Sequence, residues 1–208
     1  MKTPERILDA SLRLFNEHGE PRITTNHIAD ELNISPGNLY YHFRNKDEII
    51  LLLFYEFEKE VQKTMEMPQG RAVNIEDIWF ALHLMFETIW KYRFLFRDLV
   101  NILSRNRKLR LRFRGLLKQT IQNTIAICQG LVDSGVMHAS KEEIAALANN
   151  ISVIATYWLN FENVRSEHID SQGKHLAHGV YQVMSLIVPF LTGETRQFLK
   201  KISEDYLT

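Results

Sequence analysis

The chain has 208 residues, and its 25 Lys and Arg balance its 25 Asp and Glu, so the formal net charge at pH 7 is zero. That balance excludes the strongly basic proteins that coat nucleic acid without sequence preference. A single cysteine, Cys128, excludes an intramolecular disulfide framework, and its apolar neighbours predict a buried structural thiol.

The chain shows no targeting or membrane-spanning signal. Its first residues, MKTPERILDA, are charged and helix-forming, unlike a signal peptide. The longest apolar stretches, near 75–90 and 180–191, carry charged or histidine side chains or are too short to cross a bilayer. We therefore expect a soluble cytoplasmic protein without a membrane partner.

A first helix is predicted over 4–17 with Thr3 as its cap, and a helix-turn-helix follows over 24–46, TTNHIADELNISPGNLYYHFRNK. The paired threonines at its start supply an N-cap hydroxyl. Asn33 tolerates the left-handed conformation that a sharp helix exit needs. Ser35 is a second N-cap, and Pro36 takes the first helical position, where its missing N–H costs nothing.

The second of these helices is predicted to turn Asn38, Tyr40, Tyr41 and His42 outward. An ordinary helical hairpin with surface aromatics is the alternative, but such clustered aromatics usually mark an interaction site. Asparagine can bond adenine through two hydrogen bonds, and tyrosine and histidine can bond phosphate or pack on a thymine methyl. The face therefore predicts contact with DNA bases.

This segment resembles the signature of TetR-family transcriptional regulators. The matching residues are Thr24, Thr25, Ile28, Ala29, Ile34, Ser35, Gly37, Asn38, Leu39, Tyr40, Tyr41, His42, Phe43, Lys46 and Glu48. The resemblance implies an all-α protein with a helix-turn-helix domain over 1–47 and a helical effector-binding and dimerisation domain over 48–208.

The same resemblance implies which residues touch double-stranded operator DNA. The recognition helix supplies base contacts, Thr25 caps the preceding helix against a phosphate, and Lys46 contacts the DNA backbone. The implied DNA-binding set is Thr24, Thr25, Asn26, Ser35, Gly37, Asn38, Tyr40, Tyr41, His42 and Lys46. The first fifty residues carry six basic against eight acidic side chains, so we expect a modest dependence of DNA binding on salt.

Beyond residue 45 the pattern predicts helices with few breaks, and neither strands nor internal repeats. Pro68, Gln69 and Gly70 interrupt the chain after the helix that opens at Asn45. Further helices are predicted over 75–94, 98–104, 108–133, 140–163 and 174–191, with a last one after Gly193. Ser140 and Glu143 form a predicted capping box.

A mostly apolar pocket with a few polar groups is predicted among the helices over 75–94, 108–133 and 140–163, the usual composition of a small-molecule site. For any single residue an ordinary core position is the simpler interpretation, and the family resemblance favours a pocket for the set. The predicted ligand-binding residues are Trp79, His83, Phe86, Trp90, Phe113, Asn123, Ile127, Asn150, Tyr157 and Trp158.

The segment 91–118 is basic, with ten Lys and Arg and one acid, Asp98. A second DNA-contacting surface is one hypothesis, and a solvated helix face above an apolar stripe is the preferred one. Some arginines could pair with acids of the first or fourth helix and tie the domains together, or meet an acidic effector. YRFLFRDLVNILSRN is similar to a segment of TetR-type regulators of fatty-acid or polyhydroxyalkanoate metabolism, so an activator of such metabolism is an alternative.

The sequence thus predicts a homodimeric repressor that a small-molecule effector releases from its operator. The predicted dimer surface combines small residues of the helix over 140–163 with an apolar stripe on the next helix. The stripe comprises Leu176, Val180, Val183, Met184, Ile187 and Leu191, and the small residues are Ala145, Ala148, Ser152, Ala155 and Thr156.

Two other classes are weaker. His168, Asp170, His175 and His178 could bind a metal in a metal-sensing regulator, but they lie where polar residues gather anyway, with no cysteine nearby. An enzyme is not expected, because no nucleophile triad, phosphate-binding glycine loop or catalytic carboxylate pair stands out. We expect neither a cofactor nor a bound metal.

Overall fold

A computed structural model describes the backbone over 2–66, 73–165 and 174–204, and side chains over 2–66, 73–165 and 176–201. Over these ranges the regular elements are helices, with one isolated β-bridge between Met137 and Leu191. The predicted all-α class is confirmed. The helices are α1 (Thr3–His18), α2 (Thr25–Glu31), α3 (Pro36–His42), α4 (Lys46–Thr64), α5 (Ile75–Lys91), α6 (Arg93–Arg97), α7 (Leu99–Arg105), α8 (Arg107–Asp133), α9 (Lys141–Arg165), α10 (Lys174–Ile187) and α11 (Gly193–Glu204).

The predicted helix starts are largely confirmed. The Thr24 hydroxyl accepts a hydrogen bond from the His27 amide at 3.3 Å, and the Ser35 hydroxyl accepts one from the Asn38 amide at 3.2 Å. Asn33 has φ 54°, the left-handed conformation that lets the chain turn sharply between α2 and α3. At α1 the prediction was one residue late, since the helix includes Thr3 and its cap is Lys2.

The helix predicted over 75–94 breaks at Tyr92, where α5 ends and α6 begins. The buried amide of Asn16 explains the break, since it donates to the Lys91 carbonyl at 2.8 Å and accepts from the Phe94 amide at 3.0 Å. The Tyr92 hydroxyl donates to Glu60 at 2.8 Å. The two Asn16 hydrogen bonds satisfy backbone groups that an uninterrupted helix would pair.

Packing divides the chain into two compact units. The first comprises Met1–Glu60 and Lys91–Phe113, and the second comprises Val61–Trp90 and Arg114–Thr208. The first unit is thus larger than the functional domain predicted over 1–47, whose boundary stays a prediction. Its core is aromatic, and the ring of Phe57 lies 5.6 Å from that of Tyr92 and 5.4 Å from that of Phe96.

The core of the second unit contains the apolar stripe of α10 and Leu191, which lies four residues beyond the end of that helix. Val180, Val183, Met184, Ile187 and Leu191 are all fully or almost fully buried within the single chain. Their prediction as dimer surface was therefore wrong. Helical periodicity identifies a buried face without indicating whether the same chain or a second chain covers it. Pro189, which cannot donate a helix hydrogen bond, ends the helix earlier than predicted.

Over the described ranges no helix combines the length and the apolar character that crossing a lipid bilayer requires.

Candidate DNA-binding surface and ligand cavity

The recognition helix α3 exposes the face that the sequence predicts. Tyr41 is 85% exposed, and its ring meets His42 edge-on at 5.0 Å between centroids. Leu39 and Phe43 are buried and anchor the opposite face. Because the anchoring side chains alternate with exposed ones, the outward aromatics are held in place without being covered.

The other predicted contacts gather at the starts of α2 and α3. Thr24, Asn26, Ser35, Gly37 and Asn38 are exposed there, and Thr25 is half-buried. The Thr25 hydroxyl lies 2.9 Å from the Tyr40 hydroxyl, which fixes the tyrosine ring against α2. The structure therefore brings nine of the ten predicted residues onto two neighbouring helix starts and the α3 face.

The tenth residue, Lys46, is held inside the first unit. Its ammonium lies 2.7 Å from Oε1 of Glu20 and donates to the carbonyls of Glu20 and Ile23 at 3.0 and 2.8 Å. The ammonium thus makes two hydrogen bonds and one ion pair with groups of its own unit. Contact with the DNA backbone stays a prediction, and this geometry favours a positioning role, in which Lys46 fixes the turn before α2.

Glu20 is the centre of this cluster, and its side chain is 0% exposed. Arg105 of α7 also contacts its Oε1, at 2.6 Å, and contacts Asp47 at 3.2 Å. Partial burial alone would lower the pKa of Arg105, but the hydrogen bond and charge of Glu20, with those of Asp47, raise it. Sequence reasoning missed Glu20, because a Glu-Pro-Arg turn gives no indication that its carboxylate is buried.

The basic segment 91–118 is partly neutralised by acids of α4. Arg112 contacts Glu58 at 2.5 Å and lies 4.5 Å above the ring of Tyr55, and Lys91 contacts Glu60 at 2.7 Å. Pairing with the fourth helix, one of the open hypotheses, is therefore confirmed for these residues. Both pairs lie within the first unit, so they hold that unit together.

The second unit contains a cavity of about 110 Å³. No charged side chain is among the residues that line it within the described ranges. The lining residues are Thr64, Met65, Ile78, Ala81, Leu82, Met85, Phe86, Thr120, Asn123, Thr124, Ile127, Cys128, Leu131, Ile151, Ser152, Ala155 and Ile187.

Three of the ten predicted ligand-binding residues line this cavity: Phe86, Asn123 and Ile127. The other seven lie elsewhere, and these are Trp79, His83, Trp90, Phe113, Asn150, Tyr157 and Trp158. Phe113 belongs to the first unit, whereas Asn150 and Tyr157 are exposed on α9. The predicted set favoured large aromatic and polar residues. Thr120, Thr124 and Cys128 were missed, although their spacing of four residues predicts that they share one face of α8.

Two family models match most of the chain. The family model for bacterial regulatory proteins of the tetR family matches residues 7–53, and the TetR model, described as a bacterial transcriptional repressor, matches residues 56–199. The chain belongs to the TetR family. It is therefore a DNA-binding transcriptional regulator, as the sequence predicted.

Individual TetR-family relatives differ in how much of the chain they match. A TetR-family regulator from Marinobacter aquaeolei VT8 is 39% identical, with a TM-score of 0.91 and 99% of each chain covered. SmeT, solved as a triclosan complex, is 20% identical, with a TM-score of 0.61 and 93% of each chain covered, which shows a shared fold. The negative regulator IcaR of the biofilm operon icaADBC, from Staphylococcus epidermidis, is 40% identical over 90 residues, 43% of this chain and 45% of IcaR. The matches to IcaR and other curated relatives span only 22% to 58% of the relative's own length.

Two further features of this TetR-family chain concern ligand chemistry. Burial raises the pKa of the Cys128 thiol to about 11, so the cavity presents a neutral thiol at pH 7, in keeping with the predicted structural cysteine. The described residues hold no group of three or more metal-binding side chains. In the predicted metal cluster, the side chains of His168, Asp170 and His175 lie outside the described residues.

Replacing Lys46 by methionine distinguishes positioning from direct DNA contact. We expect Lys46→Met to weaken operator binding by about tenfold or more, because it removes the ion pair with Glu20 and the two backbone hydrogen bonds that fix the turn before α2. The slope of log affinity against log salt should stay unchanged, whereas loss of a phosphate contact would reduce it by about one. Operator binding measured at several salt concentrations reads both quantities.

Glu20→Gln is the companion variant for this test. It removes no cation but breaks the same ion pair with Lys46, so it should also weaken operator binding at an unchanged salt slope. A reduced slope in Lys46→Met together with unaltered binding by Glu20→Gln would restore the direct contact that the sequence predicted.

Proposed function

We propose that this TetR-family regulator represses transcription by binding an operator as a homodimer, and that a neutral, largely apolar small molecule releases it. The observation that carries the proposal is the pairing, in one chain, of an exposed recognition helix with a cavity lined by uncharged residues. Repression is supported by the description of the matching family model and by the negative regulator IcaR among the relatives.

The exposed α3 face supports direct reading of base edges. Asn38 and Tyr41 are exposed, and both side chains have hydrogen-bonding groups that suit the major groove. Tyr40 is fixed by its hydrogen bond to Thr25, so little side-chain entropy remains to be lost on binding.

We expect Tyr41→Ala to weaken binding to a specific operator fragment by tenfold or more, since a base contact contributes about 1–3 kcal/mol. The melting temperature should not fall, because the ring is exposed in the free protein. Phe80→Ala, which truncates an exposed aromatic ring of the second unit, is the matched control and should bind the operator normally. Operator binding by Tyr41→Ala at the parental affinity would remove α3 from the interface.

The chemistry of the cavity supports a neutral effector that donates a hydrogen bond. Thr120, Thr124 and Ser152 each donate their hydroxyl hydrogen to a carbonyl of their own helix, at 2.9, 3.0 and 2.9 Å. Asn123 donates to the sulfur of Met65 at 3.2 Å, while its carbonyl oxygen makes no hydrogen bond within the described residues. The remaining capacity is therefore mostly for acceptance, and burying a charged ligand there would be unfavourable.

We expect Asn123→Leu to weaken the binding of 4-alkylphenols, which are neutral and can donate one hydrogen bond to the Asn123 carbonyl oxygen. We expect a two- to tenfold loss, the effect of about 0.5–1.5 kcal/mol for one hydrogen bond, with operator affinity in the absence of ligand unchanged. Gln122→Leu, on the exposed side of the same helix, is the control.

The measurement is calorimetric titration of each variant, with and without operator. Linkage requires that operator DNA weaken alkylphenol binding by the factor by which the alkylphenol weakens operator binding. Binding of matched alkyl carboxylates in preference to the phenols would contradict a neutral effector.

Dimerisation is supported by an exposed apolar stripe on α9, on the side away from its buried face. Val153, Tyr157, Phe161 and Val164 recur at helical spacing, and Val164 is 87% exposed. Contiguous exposed apolar residues on a soluble protein usually mark an interface. A two-fold dimer of this kind would bind a pseudo-palindromic operator with half-sites about 34–36 Å apart or a multiple of that distance.

Val153→Glu should give monomers with weak operator binding, because Val153 is 58% exposed and a charge there can be solvated only when no second chain covers it. Val100→Glu, the same change at an exposed valine of the first unit, should remain dimeric. Light scattering during size-exclusion chromatography measures both masses. A dimeric Val153→Glu variant would place the interface elsewhere.

A further inference from the structure

Gly179 of α10 is packed against two aromatic rings. A Cβ atom at this position would lie 2.3 Å from Cε1 and 2.9 Å from Cδ1 of Phe86, and 2.7 Å from Cδ1 of Trp158. Carbon atoms in contact lie about 3.5–4.0 Å apart. The backbone of α10 therefore approaches these rings at a distance that any side chain at position 179 would prevent.

Phe86 belongs both to this contact and to the cavity wall. Its ring is almost completely buried, and it lines the cavity together with Ile151 and Ile187. Protein interiors are close-packed, so a displaced ring moves toward a void rather than into packed side chains. A methyl group at position 179 would accordingly push the Phe86 ring into the cavity.

Within the described ranges, the other helical glycines lack such close contacts. A Cβ atom at Gly115 or Gly130 of α8 would meet no atom within 4 Å. Gly130 lies in the same unit as Gly179. Alanine could replace it, because helices favour alanine over glycine. The close packing at Gly179 is therefore a local property of its contact with Phe86 and Trp158.

We propose that Gly179 sets the size limit of the effector cavity by allowing the Phe86 ring to lie back against α10. This inference deepens the proposed effector function and rests on it. The ligand class is neutral and apolar, and the residue at position 179 determines how long an apolar group can enter. Gly179 is a specificity determinant that acts through Phe86 without touching the ligand.

Xenon binding tests the effect on the cavity directly, since xenon enters apolar cavities. Crystals of the full chain under xenon pressure should show xenon beside Phe86 in the parent and in Gly130→Ala, and none in Gly179→Ala. Equal xenon occupancy in Gly179→Ala and the parent would overturn the proposal, and so would a parental cavity that takes up no xenon.

A graded series from phenol to 4-butylphenol tests the size limit by calorimetry. Gly179→Ala should weaken the longest alkylphenol that the parent binds by roughly tenfold or more, as expected when a pocket loses room for a methylene group. Phenol itself should bind with a dissociation constant changed by less than about threefold, and Gly130→Ala should match the parent throughout. A uniform loss across the series would contradict a size limit.

The double variant Gly179→Ala/Phe86→Leu covers the case in which Gly179→Ala alone does not fold. Leucine has no Cε1 atom, the atom nearest the new methyl group, and the smaller side chain leaves space into which Trp158 can shift, so the double variant should fold and bind the longer alkylphenols again. A double variant no better than the single one would overturn the role of Phe86. Neither readout involves operator DNA, so alkylphenols without effect on operator binding would disprove the effector proposal separately.

Discussion

The buried carboxylate of Glu20 is the interaction on which the geometry of the first unit depends. One of its oxygens lies within 2.7 Å of both the Lys46 ammonium and the Arg105 guanidinium. A buried charge without such partners would be strongly destabilising. The turn before α2, which carries Glu20, is therefore held next to Lys46 of α4 and Arg105 of α7. The helix-turn-helix is therefore attached by charge at its entrance, while Leu39 and Phe43 attach it by apolar packing at its end.

The two units use different chemistry for different tasks. In the first unit, cations of 91–113 pair with acids of α4, and a rigid charged framework holds an exposed aromatic face. In the second unit the cavity wall is uncharged, and its hydroxyl groups are occupied by their own helices. In the proposed effector function, such a wall would discriminate between ligands by size and shape first, because apolar contacts are not directional.

Local chemistry was predictable from the sequence, and partners in space were not. Thr24, Ser35 and Asn33 act through their immediate neighbours, so their roles as caps and turn follow from residue type alone. Tyr92 interrupts a continuous helical pattern because Asn16, 76 residues earlier, pairs with the backbone on both sides of it. The stripe ending at Leu191 was predicted to be dimer surface, whereas the chain's own core covers it. Among the cavity residues, Asn123 was predicted. Thr120 and Ser152 were missed, because small hydroxyl residues also occur at many helix positions that contact no ligand.

The hydroxyl groups in the cavity wall also affect its stiffness. Thr120 and Thr124 each bond the carbonyl four residues earlier in α8, which competes with the backbone ladder and makes a helix easier to bend. On the side of α10, by contrast, the backbone at Gly179 lies directly against Phe86 and Trp158. The cavity therefore has a wall at α8 that bends more easily and a closely packed wall at α10. In the proposed effector function, the strain of ligand binding would develop along α8 first.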